Sequence, residues 1–188
     1  MLDAVREPQR DGVPDLDRWI SAAQVRTSDR RESRAAAETL WSAASTVRLA
    51  DCRLLGRLVG RRLGAGDPDS TFEALFRAPP FVLLEDGPSW ALSGLCGRIW
   101  TVRAELGRLP DPQAFRDWSE PGTVRVLFAH WVVPREGGAV LNSEVRVAPV
   151  DRRAGRYLRA LGPFIAAFQS LIGLEPLSVA VRRAESAG

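Results

Sequence analysis

The residue best suited to acid–base chemistry is His130, the only histidine among 188 residues. It falls in a stretch from Thr123 to Val133, where alternation places it on one strand face with Phe128 and Val132. That face is otherwise apolar, so we expect it to point into the protein. Because imidazole titrates near neutral pH, His130 could be a general acid or base, or could hydrogen-bond a ligand. The alternative is a histidine that is satisfied within the core.

A second candidate for chemistry is Arg98, which alternation places on one strand face with Trp90 and Trp100. We expect this bulkier face to line the interior. A buried arginine needs a partner, either a carboxylate such as Glu85 or an anionic or carbonyl group of a ligand. In the second case Arg98 could stabilise developing negative charge while His130 moves a proton, an arrangement that suits an enolate or phenolate.

The strand that follows, over 139–147, offers further polar groups. Alternation turns Ser143 inward, close enough to the imidazole to share a polar patch with it. The same alternation turns Glu144 and Arg146 outward, where they could pair across strands with Arg125 or another neighbour. Glu144 is therefore a possible charge partner rather than a catalytic group.

Composition and motifs exclude several classes of function. The chain contains no P-loop, dinucleotide fingerprint, paired-cysteine motif or pair of histidines, so we expect no cofactor and no metal. All 26 basic residues are arginine, and the abundance of Arg, Ala, Gly and Pro is typical of a GC-rich, actinobacterial-like coding bias. Net charge is only +3 and acids are interspersed with the arginines, so we expect no nucleic-acid partner.

The sequence also bears on location. It shows neither a signal peptide nor a run of about 20 apolar residues, so we expect no membrane span. Two cysteines, Cys52 and Cys96, are too few for a disulfide framework and should be small buried hydrophobes. These features together predict a cytoplasmic, reduced protein.

The chain is expected to form a flexible tail over 1–16 and a single domain over 17–188. Apolar periodicity, caps and turn residues predict its elements in order. These are a strand over 18–27, a helix from 28 or 29 to 41, a helix over 50–63, a short helix over 71–76, strands over 81–85, 89–102 and 103–108, a short helix ending at 118, a hairpin of strands 123–133 and 139–147, and a helix over 151–185.

The C-terminal helix is the longest predicted element. Apolar residues recur at steps of three and four and form one stripe, so the helix must pack against a sheet. Gly162-Pro163 should kink it, and Glu175-Pro176 should break it. The stripe consists of Leu158, Leu161, Ile165, Phe168 and Ile172, and it is flanked by Tyr157, Phe164 and Leu171.

This order of elements resembles the helix-grip fold of the START/Bet v 1-like (SRPBCC) superfamily. The stretches 81–85, 94–100, 115–122 and 144–147 look like segments of a bacterial SRPBCC group, and the resemblance spans 14–185. It implies an α+β fold in which a curved antiparallel sheet grips a long, kinked C-terminal helix. In that group the position of His130 looks typically aromatic, so the histidine is a departure.

The resemblance also implies what the fold is for. Superfamily members bind hydrophobic small molecules between sheet and C-terminal helix, and they include polyketide cyclases and dehydratases as well as lipid carriers. The oxygenase branch needs a histidine and carboxylate metal site, which a single histidine cannot build. The side chains expected to contact a ligand are Trp90, Trp100, Phe128, Ser143, Tyr157, Leu161, Phe164, Ile165 and Phe168; Tyr157 could instead pack at the rim.

Two functions follow, each with a hydrophobic small molecule as partner. The first is a cofactor-free enzyme that cyclises, dehydrates or isomerises a polyketide-like or other natural-product substrate. The second is a non-catalytic carrier of a lipid or hydrophobic metabolite. An Arg98 that acts with His130 favours the enzyme, whereas an Arg98 neutralised by Glu85 favours the carrier. A collapsed cavity with a surface role is a third alternative, and both a monomer and a homodimer fit the sequence.

Overall fold

The protein is described from a computed structural model that covers residues 12–52, 69–101 and 105–187, without the side chains of 162–173. One antiparallel sheet has the strand order β1-β6-β5-β3-β2, and β4 pairs with β3. The elements are β1 (Val25–Ser33), α1 (Ala37–Ser45), a 3₁₀ turn (Leu49–Asp51), α2 (Phe72–Arg77), β2 (Val82–Gly87), β3 (Trp90–Arg98), β4 (Glu105–Leu106), α3 (Pro112–Arg116), β5 (Val124–Arg135), β6 (Gly138–Pro149) and α4 (Arg152–Ser186).

The sheet and α4 form the α+β helix-grip arrangement that the sequence predicts. Helix residues Leu158 and Leu177 are buried in the same cluster as Val126, Val132 and Val145 of β5 and β6. We call the side of the sheet that faces α4 the inner face, and the opposite side the outer face. Burial of these aliphatic side chains on the inner face is the main force that holds α4 in place.

The β5–β6 hairpin is confirmed and extends beyond both predicted ends. Its strands pair from Val124 with Pro149 to Arg135 with Gly138, which leaves two residues for the turn. Gly138 is required there: its φ is 151°, and a Cβ would lie 2.0 Å from the Ser33 carbonyl oxygen. The register sets His130 directly opposite Ser143.

Helix α4 begins at a defined cap and continues further than predicted. Asp151 is the N-cap, and its carboxylate accepts hydrogen bonds from the backbone N–H of Ala154 (2.7 Å) and of Gly122 (2.7 Å). The predicted break at Glu175-Pro176 is wrong, since one helix runs to Ser186. Proline removes one helical hydrogen bond, and the residues that follow it, including the buried Leu177, pack on the sheet and compensate. The helix also continues through Gly162-Pro163.

The N-terminal third differs most from the sequence prediction. The first strand is β1, which starts at Val25 and occupies residues expected to begin a helix. Its polar residues carry little strand signal, but pairing with β6 from Val25–Val147 to Ser33–Ala139 overrides local preference. The helix predicted over 50–63 lies mostly outside the described residues, and its start is a 3₁₀ turn. Helix α2 is confirmed: the Thr71 hydroxyl accepts a hydrogen bond from the Ala74 N–H at 3.1 Å.

The outer face of the sheet is also buried. Leu16, Trp19 and Ile20, from the segment that precedes β1, cover it together with Phe115 of α3. Beneath them lie apolar residues of the sheet, among them Leu92. Leu16, which was expected to be the end of a tail, is therefore packed in the domain.

Glu144 and Arg146 lie on the outer face, as predicted, but they are buried by this covering segment. The Glu144 carboxylate accepts hydrogen bonds from Arg146 (2.6 Å) and Arg26 (2.7 Å). Arg146 also donates to the carboxylate of Asp17 and to the Ile20 carbonyl, the latter at 2.7 Å. The Arg146 hydrogen bond lowers the pKa of Asp17. The cross-strand partner of Glu144 is its other neighbour, Arg26 of β1, and not Arg125, while the segment before β1 supplies Asp17 to Arg146.

We expect Arg146→Met to lower the free energy of unfolding by about 3 kcal/mol, because removing one member of a buried ionic group leaves the others uncompensated. Urea unfolding of the wild type and the variant measures this. The matched control is Arg30→Met on the exposed side of β1, which should change stability by less than about 0.5 kcal/mol. Equal losses in both variants would contradict the structural role given to Arg146.

Candidate functional site

A pocket lies on the inner face where two short helices, the sheet and α4 meet. It encloses about 60 Å³, room for a few water molecules, whereas pockets that enclose drug-sized ligands hold roughly 300–1,000 Å³. Seven elements contribute to its wall. Its described lining residues are Trp41, Ala44, Ser45, Phe72, Glu73, Phe76, Arg77, Leu83, Ala91, Ser93, His130, Leu141, Pro176 and Leu177.

An aromatic cluster forms one side of the pocket. Phe72 and Phe76 are four residues apart on α2 and so share a helix face; their ring centroids are 4.8 Å apart. Phe76 also packs on Phe81 (4.9 Å) and on Phe128 of β5 (5.2 Å). These contacts position α2 against the inner face and close the pocket over His130.

The His130 ring packs against both phenylalanines, with centroid distances of 5.3 Å to Phe72 and 5.2 Å to Phe76. Desolvation in this packing lowers its pKa from 6.5 to about 4, so the imidazole is neutral at pH 7. Part of the side chain nevertheless remains accessible, and it lines the pocket. Within the described part of the chain, the ring nitrogens have no hydrogen-bond partner.

The face of strand β3 that points to the pocket is the opposite of the one predicted from the sequence. Ala91 and Ser93 line the pocket, whereas Trp90 packs with the outer cluster. Bulk misled the prediction because both faces of the sheet are buried. The outer face receives its large residues where the backbone makes room: a Cβ at Gly94 would lie 2.5 Å from the ring of Phe115.

Arg98 is not brought together with His130. It ends β3 with its side chain 43% exposed and forms an ion pair with Glu105 at 2.8 Å. It lines a separate, open groove beside Trp100. A carboxylate therefore satisfies Arg98, as one alternative held, but it is Glu105 and not Glu85, which pairs with Arg18 at 2.7 Å.

The remaining predicted ligand contacts are spread over several places. Tyr157 is 44% exposed and stacks on Trp100 with ring centroids 5.5 Å apart, so the structure brings these two residues together with Arg98 in the separate groove and not at the pocket. Phe128 is buried in the aromatic cluster, and Ser143 is buried opposite His130 without lining the pocket. Leu161 is partly buried on α4. The side chains of Phe164, Ile165 and Phe168 lie outside the described residues.

Several pocket residues were missed by sequence reasoning, most clearly those of α2. Phe72 and Phe76 could have been found, since a threonine cap followed by two apolar residues at helical spacing marks an amphipathic turn. The ionic group at the pocket edge could not, because it joins two elements. Arg77 contacts Glu73 at 3.0 Å and Asp86 of β2 at 2.7 Å, and the hydrogen bond to Asp86 raises its pKa.

Other chemistry has less support in the described residues. No group of three His, Cys, Asp or Glu side chains lies close enough there to hold a metal ion. Burial raises the pKa of Cys52 and of Cys96 to about 12, so both thiols stay protonated and unreactive at neutral pH. In the same ranges, no helix is both long and apolar enough to cross a bilayer.

No family model and no curated protein matches this chain. Among solved structures it is similar to protein MLL2253 from Mesorhizobium loti, with 16% identity and a TM-score of 0.33 over 81% of this chain and 95% of that one. It is similar to TTHA0849 from Thermus thermophilus, with 11% identity and a TM-score of 0.36 over 87% of this chain and 99% of that one. It is also similar to the di-domain ARO/CYC StfQ from the steffimycin biosynthetic pathway, with 13% identity and a TM-score of 0.35 over 87% of this chain and 51% of StfQ.

The single histidine permits a direct test of the pocket's polarity. We expect the imidazole NMR signal of His130 to titrate near pH 4. Since the unfolded chain binds this proton near pH 6.5, stability should fall by about 3 kcal/mol as pH drops from 6.5 to 4. Urea unfolding across this pH window measures the loss of stability. The His130→Phe variant retains every carboxylate that also titrates there, so it should lack only the part of the loss that is due to His130. A titration near pH 6.5 would show that the ring is solvated.

Proposed function

We propose that the protein is a non-catalytic binding or carrier protein for a small, mainly apolar molecule. The ligand lies between the sheet and α4, and one uncharged polar group of the ligand hydrogen-bonds His130. The observation that carries this proposal is a neutral, unpartnered imidazole on the wall of an apolar, aromatic pocket. We also propose that the protein is a member of the START/Bet v 1-like superfamily, because the order of its elements and the stretches 81–85, 94–100, 115–122 and 144–147 resemble that superfamily.

The chemistry of the ligand follows from the state of His130. A neutral imidazole offers one donor and one acceptor, so a hydroxyl or carbonyl group satisfies it. The ring nitrogens are accessible from the pocket, so a ligand group that replaces water there contributes about 0.5–1.5 kcal/mol, the net value of a typical hydrogen bond. An unpaired carboxylate of the ligand would instead face a large desolvation penalty beside the rings of Phe72 and Phe76.

The pocket volume sets a condition on larger ligands. At about 60 Å³ the cavity accepts only a small group. A larger molecule requires the wall to move, and α2 is the natural candidate because it is a helix of only six residues, tied by backbone hydrogen bonds at its N-terminal end. Displacement of Phe72 or Phe76 would open the pocket directly above the imidazole.

A second candidate is the cofactor-free cyclase, dehydratase or isomerase. It is favoured by the accessible, unpartnered nitrogens of His130, which a bound substrate would contact. Two observations weigh against it. Arg98 is paired with Glu105 in a separate groove, and Arg77, the arginine that does line the pocket, is paired with Glu73 and Asp86. A pKa of about 4 also makes His130 a weak base at neutral pH.

Ligand binding can be tested with variants of the pocket. Native mass spectrometry of the purified protein identifies a co-purified metabolite, and calorimetry with that metabolite gives its affinity. We expect His130→Phe to weaken binding about 10- to 100-fold through loss of the hydrogen bond, and His130→Gln to weaken it less. Ala91→Leu should block the pocket, while the matched surface variant Arg98→Gln should bind as the wild type does. Unchanged affinity in both His130→Phe and Ala91→Leu would refute the site.

The same ligand distinguishes carrier from enzyme. After incubation with the protein, mass spectrometry should recover the ligand unchanged if the protein is a carrier. Loss of water or a rearranged product, formed by the wild type and not by His130→Phe, would establish the enzyme instead. Arg98→Gln serves again as the comparison, since a loss of turnover in this variant would revive a catalytic role for Arg98.

A further inference from the structure

The first turns of α4 carry an unusual concentration of positive charge. Arg152, Arg153, Arg156 and Arg159, which we call the arginine face, are all exposed. At about 100° per residue, they occupy one continuous arc of the helix surface, opposite the buried Leu158. No acidic residue occurs between 152 and 174 in the sequence.

The arginine face is not explained by stability. Within the described ranges, none of its four guanidinium groups lies within ion-pair distance of a carboxylate. Cations at a helix N-terminus oppose the macrodipole, and like charges spaced by three or four residues repel. Each of these effects destabilises the helix slightly. The arrangement therefore calls for an anionic partner outside the domain.

A second feature adjoins the arginine face on the same helix. Tyr157 is 44% exposed, and its ring stacks on Trp100 at 5.5 Å with an angle of 22° between the ring planes. Tyr157 lies next to Arg153 on the helix surface, and both line one groove with Trp100. Tyrosine and tryptophan present an apolar body and a polar edge, which suits them to the headgroup level of a bilayer.

The arginine face also borders a second open groove, on the side away from Tyr157. Arg152, Arg156 and Arg159 line it beside Gln24 and Pro149. The nearby Asp151 carboxylate accepts hydrogen bonds from the backbone N–H groups of Ala154 and Gly122, which lower its pKa together with a smaller contribution from the charge of Arg153. Guanidinium groups bind phosphate through several hydrogen bonds at once, so this groove is suited to phosphate-bearing headgroups.

We propose that the arginine face and the Trp100–Tyr157 pair dock the protein on an anionic phospholipid bilayer. The exposed Tyr157, stacked on the half-buried Trp100 beside cations, favours this partner over an acidic protein or a nucleic acid, because only the bilayer offers anionic phosphates and an apolar layer together. Docking at this end of α4 leaves the pocket residues Pro176 and Leu177, further along the same helix, free to contact a ligand. The proposal is independent of what the pocket binds.

Sedimentation with vesicles tests the proposal. We expect binding to phosphatidylcholine vesicles that contain about one third phosphatidylglycerol, little binding to pure phosphatidylcholine, and release when salt is raised from about 0.05 M to about 0.5 M. The triple variant Arg152→Gln, Arg156→Gln, Arg159→Gln should bind on the order of a hundredfold more weakly. Tyr157→Ser should weaken binding while leaving the salt dependence in place.

Matched controls separate this surface from net charge. Arg30→Gln, Arg34→Gln, Arg182→Gln removes the same charge from exposed arginines elsewhere and should bind nearly as well as the wild type. The His130→Phe variant should bind vesicles as the wild type does, so this test remains valid even if the proposed ligand binding in the pocket is refuted. Equal losses in the two triple variants would overturn the proposal. The proposal would also be overturned if the protein bound an acidic polypeptide or a duplex oligonucleotide and did not bind anionic vesicles.

Discussion

The pairing of β5 with β6 is the constraint on which the rest of the structure depends. Twelve residues of each strand pair without interruption. Since side chains alternate along a strand, this one register decides which residues meet α4 and which turn away from it. It sends His130 to the inner face and Arg146 to the outer face. A shift of one residue would exchange the pocket and the ion network.

Burial of both faces of the sheet is the second constraint, and it arises from the segment before β1. Covering the outer face with Trp19 and Ile20 removes it from water, so the charged Arg146 and Glu144 beneath must be satisfied by partners. Asp17 and Arg26, from the covering segment and the edge strand, supply them. The network therefore ties the N-terminal segment to the centre of the sheet, and the outer apolar cluster depends on that attachment.

The sequence was most informative where a single strong period repeats. Alternation alone predicted the β5–β6 hairpin and the inward direction of His130, because one face of β5 is apolar throughout. It failed for β3, since large residues lie on both faces once both are buried, and the small Ala91 and Ser93 that line the pocket carry no signal of their own. It also failed for β1, a polar edge strand whose conformation is set by its pairing with β6.

The charged residues show why contacts between distant segments could not be predicted. Arg98 was expected beside His130, but the face of β3 that carries Trp90 is the outer one, and Glu105 from β4 pairs with the Arg98 side chain.

The pocket illustrates a conflict between stability and binding at position 130. A phenylalanine there would extend the cluster of Phe72, Phe76 and Phe128, with no polar atom to desolvate. The imidazole instead lowers stability at acidic pH through its lowered pKa, and within the described residues its accessible nitrogens have no protein partner. The neighbouring aromatic rings would pack equally well against a phenylalanine, so the structure around position 130 does not explain the presence of a histidine. The proposed ligand would explain it, and its hydrogen bond to the imidazole would place the specificity of the pocket in one residue.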